Sequence, residues 1–99
     1  MTTITITYSE SDSKARYGAS VDGILVEAEL TLSKVSPSLV IADHTFVPDE
    51  LRGQGIAGAL AEQLIKDSRS KGQRIVPLCP FVRAYALKRK EELADVFQW

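Results

Sequence analysis

Three features of this 99-residue chain have residue types suited to chemistry. The first is the run Arg52-Gly53-Gln54-Gly55-Ile56-Ala57-Gly58. Its glycines let the backbone come close to a ligand, and a helix starting here presents unpaired N–H groups and the positive end of its dipole. Together these make a ready seat for phosphate. A plain strand-to-helix turn with small residues packed on a sheet is the alternative. The second feature is His44, the only histidine. Imidazole is the side-chain type whose ordinary range spans neutral pH, which suits a general base. Strand alternation puts it on the side of Val40, Ala42 and Phe46, so a packed structural histidine competes with that role. The third is Cys79, the only cysteine, directly before Pro80. The start of a helix favours thiolate and hence nucleophilic attack, whereas a buried, inert thiol is the default.

Two familiar phosphate loops can be tested against the glycine run. Gly53-x-Gly55-x-x-Gly58 satisfies the dinucleotide-binding pattern literally. That pattern requires a carboxylate at the end of the next strand to hold the ribose hydroxyls. Here the next strand ends in Pro77-Leu78-Cys79-Pro80, and only one β–α–β unit is present, so the reading fails. A Walker-type loop fails too, because no Gly-Lys-Ser/Thr follows.

These groups need elements to hold them. Ile4, Ile6 and Tyr8 alternate with threonines, and Ala15, Tyr17, Ala19 and Val21 alternate with polar residues, so both segments predict half-buried strands. Asp22-Gly23 predicts a two-residue hairpin into a third strand from Ile24 to Leu32. Ser36-Pro37-Ser38 turns the chain into a fourth strand, Leu39 to Val47, ended by Pro48. Short connections imply an antiparallel meander. Ile56, Ala57, Leu60, Ala61, Leu64 and Ile65 then form one apolar helical face, closed by Lys71-Gly72. A short strand from Arg74 to Leu78 follows. Pro80 opens a second helix carrying Phe81, Val82, Tyr85 and Ala86. Trp99 either caps the core or frays. The fold class is mixed, α+β: a four-strand antiparallel meander, one β–α–β unit with strands four and five parallel, and a C-terminal helix. His44 and Cys79 are expected to face one crevice at the carboxyl ends of those parallel strands.

Composition bounds the function. A hydrophobic share of 44% and a charged share of 25% describe an ordinary globular chain, read as one domain over residues 1–99. Twelve Lys plus Arg against 13 Asp plus Glu leave a net charge of −1, which argues against nucleic acid as a partner. One cysteine excludes an internal disulfide, one histidine argues against a Cys/His metal site, and no apolar run is long enough to cross a bilayer. The start lacks a signal-peptide pattern, so a reduced, cytoplasmic location is expected. Charge is uneven along the chain. Basic residues dominate from Lys66 to Lys90, and acidic residues such as Glu27, Glu29, Asp43, Asp49 and Glu50 dominate before Leu51. Two solvated faces explain this as well as an anionic ligand near the second half and a cationic one near the first.

Arg52-x-x-Gly55-x-Ala57, opening a helix after a strand, resembles the pyrophosphate-binding motif of the GNAT superfamily of N-acetyltransferases. The combination with Asp43-His44-Thr45 and with Leu78-Cys79-Pro80-Phe81-Val82-Arg83-Ala84-Tyr85 is similar to small single-domain members of that superfamily over nearly the whole chain. The resemblance implies acetyl-CoA as cofactor. Main-chain groups around Phe46 and Val47 would pair with the pantetheine arm, and the N–H groups of Gly53, Gln54, Gly55, Ile56, Ala57 and Gly58 would cradle the diphosphate, with Arg52 beside it. It also implies transfer to an amine-bearing acceptor, a small molecule or a peptide. His44 is then the candidate base, and Cys79 lines the thioester or accepts the acetyl group. Tyr85 is either the acid for the departing thiolate or a core residue packed on Phe81. The rival function is an acetyl-CoA-binding sensor or accessory module with little turnover.

Overall fold

Alternation along the first strand sends Ile4 and Ile6 toward the core and Thr5 and Thr7 to solvent, and the same logic repeats across the sheet. The structure, a computed structural model, describes residues 3–98. Strands β1 (Ile4–Glu10), β2 (Lys14–Val21), β3 (Ala28–Ser36) and β4 (Leu39–Phe46) form the antiparallel meander. A 3-10 turn at Asp49–Leu51 leads into α1 (Ile56–Lys71), then β5 (Arg74–Pro77) and α2 (Pro80–Leu87). The sheet order is β1-β2-β3-β4-β5, and β4 pairs with β5 in parallel.

Both helices pack on one face. Leu60 and Leu64 of α1 and Val82 and Ala86 of α2 join Tyr17, Leu30 and Val40 in one buried cluster. The Tyr85 hydroxyl on α2 donates to Glu62 on α1, which ties the helices together. The opposite face carries Thr5, Thr7, Arg16, Glu29 and Thr31, and among the described residues no helix covers it. Helix α1 stops as its sequence predicts: Gly72 adopts φ 66°, and its N–H bonds back to Arg69.

Two expectations need correction. The two-residue hairpin at Asp22-Gly23 does not form. Gly23 does adopt positive φ, and the Ile24 N–H bonds to the Val21 carbonyl, but the ladder resumes only at Ala19–Ala28. Residues 24–27 form a loop, with Leu25 fully exposed. The observed register sets Gly18 opposite Glu29. A side chain at position 18 would come within 2.6 Å of the Arg16 guanidinium, which lies there bonded to Glu27 and Glu29. The loop therefore accommodates an ion-paired layer on the outer face.

The second correction concerns β4. Thr31 pairs with His44 and Leu32 with Ala42, so Asp43 is an extra residue, a β-bulge. Strand alternation inverts there. Val40 and Ala42 are buried beneath the helices, whereas His44 and Phe46 lie on the exposed outer face. His44 does not share a side with Val40 and Ala42.

The chain after α2 adds a feature those expectations did not cover. Residues 88–96 run in turns, and the segment then returns to the free side of β5. The Ile75 N–H bonds to the Val96 carbonyl, and the Gln98 N–H to the Ile75 carbonyl. Leu93, Val96 and Phe97 are buried, so this segment completes the core. Trp99 lies outside the described residues. Among those residues, no helix is long and apolar enough to cross a membrane.

Candidate functional site

The parallel β4–β5 ladder is short. It runs from Leu39–Arg74 to Ala42–Pro77 and ends there. The Leu78 N–H, next after those of Arg74 and Val76 to face β4, turns back onto the Val76 carbonyl instead. Only the Cys79 N–H reaches across, to the Ala42 carbonyl. The ladder stops beside the bulge, so β4 continues from Asp43 to Phe46 bonded to β3 alone, with its other edge facing a gap. Unpaired strand edge of this kind binds an extended chain through main-chain hydrogen bonds.

The gap leads to the start of α1. Gly53 and Gly55 take φ 80° and 72°, the left-handed region that strains any residue with a Cβ. Gly55 is the N-cap and offers no side-chain cap, and the first turn holds no acidic residue. The leading amides and the positive dipole end therefore remain available to an anion. A concavity of about 290 Å³ lies over this turn, floored by Val47, Leu51 and Ile56 and walled by Phe81. Arg52 stands at its rim, mostly exposed, with Nε 3.2 Å from Asp49. Gly58 is packed differently: a Cβ there would only touch the Tyr85 ring.

At the other end of the gap stands Cys79, the N-cap of α2 and 2% exposed. Its sulfur lies 3.2 Å from the Thr45 hydroxyl. Thr45 pairs with buried Leu30, which fixes it on the inner side of β4. The pairing expected between His44 and Cys79 is thus not what the structure brings together. The bulge turns Thr45 toward the thiol and His44 outward. Among the described residues the His44 imidazole has no hydrogen-bond or ion-pair partner, and its carbonyl accepts from Thr31. Phe46, 51% exposed, stands next to it opposite Glu29.

Tyr85 is committed elsewhere. Its hydroxyl donates to Glu62, Arg89 donates to both, and its ring centroid lies 6.0 Å from that of Phe81. Burial and the Glu62 carboxylate raise the phenol above its ordinary range. The same hydrogen bond holds Glu62 below the usual carboxylate range against the opposing effect of burial, with Arg89 adding to the lowering.

Much of the basic half of the chain is also engaged internally. Arg69 pairs with Asp95, Arg89 with Glu92 and Glu62, and Arg74 donates to the carbonyls of Ala94, Asp95 and Phe97. The charge asymmetry therefore owes much to structural ion pairs. Sequence reasoning missed Thr45, the inward partner of the thiol, and Phe81, the wall of the anion seat. Phe81 did leave a signal, directly after the Pro80 that starts α2.

The comparisons agree with this geometry. Residues 16–96 match the family described as GCN5-related N-acetyl-transferase. Among solved structures, a GCN5-like candidate N-acetyltransferase from Staphylococcus aureus superimposes with a TM-score of 0.61 at 27% identity, over 93% of this chain and 87% of that one. The aminoglycoside N-acetyltransferase AAC(6')-Iy, solved with CoA, superimposes with a TM-score of 0.50 at 20% identity. That match covers 91% of this chain and 63% of the other, and it speaks for the fold. No functionally curated protein matches in sequence. The chain belongs to the GCN5-related N-acetyltransferase family.

Proposed function

We propose that this protein transfers an acetyl group from acetyl-CoA to a primary amine of a small molecule or peptide. The observation that carries the reading is the continuity of the gap: free β4 edge, then two left-handed glycines, then the uncapped start of α1. An extended pantetheine arm would pair along Asp43–Val47. Its diphosphate would sit on the amides of Gly53 to Gly58, and its thioester would arrive near Thr45 and Cys79. The same fold holds CoA in the aminoglycoside N-acetyltransferase complex, which supports this choice of donor.

Acetyl-CoA supplies an activated carbonyl; the chain must orient it and manage protons. The amine nitrogen attacks that carbon, the C–S bond breaks, and the amine's excess proton needs a base. His44, on the outer face, suits a base for an acceptor approaching from that side, where Glu27 and Glu29 outweigh their shared partner Arg16 by one negative charge. Cys79 and Thr45, on the inner side, line the sulfur or take the acetyl group in a first transfer. Tyr85, held by Glu62, is left a packing role.

That engagement of Tyr85, together with the burial of Cys79, favours a second reading, an acetyl-CoA-binding module with little turnover. Calorimetry with CoA, ATP and NAD in parallel, followed by thiol release over a panel of amines and polyamines, tests both. Selective CoA binding with amine-dependent release supports the transferase. Selective binding without it supports the module, and absence of CoA binding removes both.

A further inference from the structure

The two edges of the sheet are treated differently. The β5 edge is four residues long, includes Pro77, and is sealed by residues 96–98. The β1 edge is seven residues long and ends the sheet, with nothing paired beyond it among the described residues. Exposed edges are normally blunted by charge, proline or a bulge. From Ile4 to Ser9, β1 has none of these, and its register with β2 runs unbroken from Ile4–Val21 to Glu10–Ala15.

The direction of the free groups follows from the turn. The Ser11 N–H bonds to the Lys14 carbonyl, which makes Ser11–Lys14 a hydrogen-bonded pair. Antiparallel pairs alternate, so Ser9, Thr7 and Thr5 also spend their main-chain groups on β2. Ile4, Ile6 and Tyr8 therefore aim their N–H and C=O groups away from the molecule.

We propose that this edge pairs with the β1 edge of a second copy, antiparallel about a two-fold axis at Ile6, joining two five-stranded sheets into one. In that register Ile6 meets Ile6, and Ile4 meets Tyr8 on the helix side. Thr5 meets Thr7 on the outer face. Each is a favourable cross-strand pair, and none carries charge. Glu10, held by Lys34 and the Tyr8 hydroxyl, falls outside the span 4–8. The seam is its own complement, and a net charge of −1 sets up little repulsion between copies. A concavity of about 540 Å³ between Ile6 and the Ala59, Gln63 and Lys66 stretch of α1 leaves room for the partner's side chains. The sealed β5 edge cannot continue the pairing, so assembly closes at two. An interface built on one strand pair lies at the small end, below ~1,200 Å² in total, so the dimer is reversible.

Sedimentation equilibrium of the 99-residue chain from about 10 µM to about 1 mM tests this. The mass is expected to rise toward twice that of the protomer. The double variant Thr5→Lys with Thr7→Lys, both exposed positions, sets lysine against lysine across the seam and is expected to stay monomeric. Mixing it with Thr5→Glu with Thr7→Glu is expected to restore the dimer. In the unaltered chain, amide exchange at Ile4, Ile6 and Tyr8 is expected to slow as concentration rises, a readout that needs no variant. A monomeric mass throughout, a dimer indifferent to the lysines, or exchange at these amides independent of concentration overturns the proposal.

Discussion

Thr45 and Cys79, 34 positions apart in sequence, meet with 3.2 Å between hydroxyl and sulfur at the point where β4 and β5 part. The contact exists because the bulge at Asp43 turns Thr45 inward while the Leu78 N–H, folded back onto Val76, ends the ladder. If the thiol receives the acetyl group, the intact protein mixed with acetyl-CoA and no acceptor gains one acetyl group on Cys79. Cys79→Ala abolishes the adduct, and Thr45→Val slows its appearance. Mass spectrometry under single-turnover conditions reads this directly, and an unmodified cysteine with full transfer activity speaks for direct attack by the amine.

His44→Gln is expected to lower kcat by ~10²–10⁴, the usual contribution of a positioned base. CoA affinity should be unchanged, because the imidazole lies on the outer face and is not among the residues around the head of α1. The side chain is exposed, so stability should stay within about 0.5 kcal/mol. Steady-state kinetics beside a thermal melt separate these effects, and full activity in this variant rules the base elsewhere.

Gly55→Ala places a Cβ at φ 72° at the head of α1. The left-handed strain is worth roughly 1–2 kcal/mol, so the thermal midpoint should fall. If the chain relaxes out of that conformation, the amides that follow lose their aim and CoA affinity drops as well. Calorimetry on the folded variant checks the second effect.

Tyr17 is buried and donates at 2.7 Å to Asp67 on α1. Burial first, then that carboxylate, raise its phenol well above the ordinary value; Tyr8 is pushed up to about 12 by burial and by Glu10. The folded state thus keeps protons that the unfolded chain loses from about pH 10. Stability from both groups is complete below that point and falls as pH rises toward about 12 and beyond. Tyr17→Phe should cost about 1–2 kcal/mol at neutral pH and flatten the alkaline decline. Urea midpoints from pH 8 to about 12 test the slope.

Glu62 has the opposite sign. Its folded carboxyl lies below the ordinary range, chiefly through the Tyr85 hydroxyl. Its contribution is therefore complete above the usual carboxylate value of ~4.3 and disappears as pH falls through the lowered one. The unaltered protein should be more stable than Glu62→Gln at neutral pH and indistinguishable from it at strongly acid pH. A gap that persists in acid would assign the effect to packing instead.

Element order, the parallel β4–β5 pair and the helix-opening glycines were legible in the sequence because each is written locally. Period two in Ile4, Ile6 and Tyr8, helical spacing in Leu60 and Leu64, and glycine in place of a side chain at positions 53 and 55 need no distant partner to be read. The orientation of His44 was not legible. Whether Asp43 is an ordinary strand residue or an inserted one depends on what the neighbouring strands offer: Ser33 of β3, whose hydroxyl donates to Asp43 at 2.6 Å, and Lys14 of β2 behind it at 3.7 Å. The hairpin at Asp22-Gly23 failed for a similar reason. The turn chemistry was right, but the Arg16, Glu27 and Glu29 layer over Gly18 belongs to a register two residues further on. The closing of the β5 edge by residues 96–98 was equally hidden, since turns carry no periodicity.

The inward curl of Leu78 onto Val76 leaves the molecule a standing slot. The Leu78 amide hydrogen is already spent on the Val76 carbonyl, so the two parallel strands do not zip further when nothing lies between them. A guest threading into that opening need not first melt any main-chain ladder. Its arrival should follow a plain second-order rate law with no saturating isomerisation ahead of it.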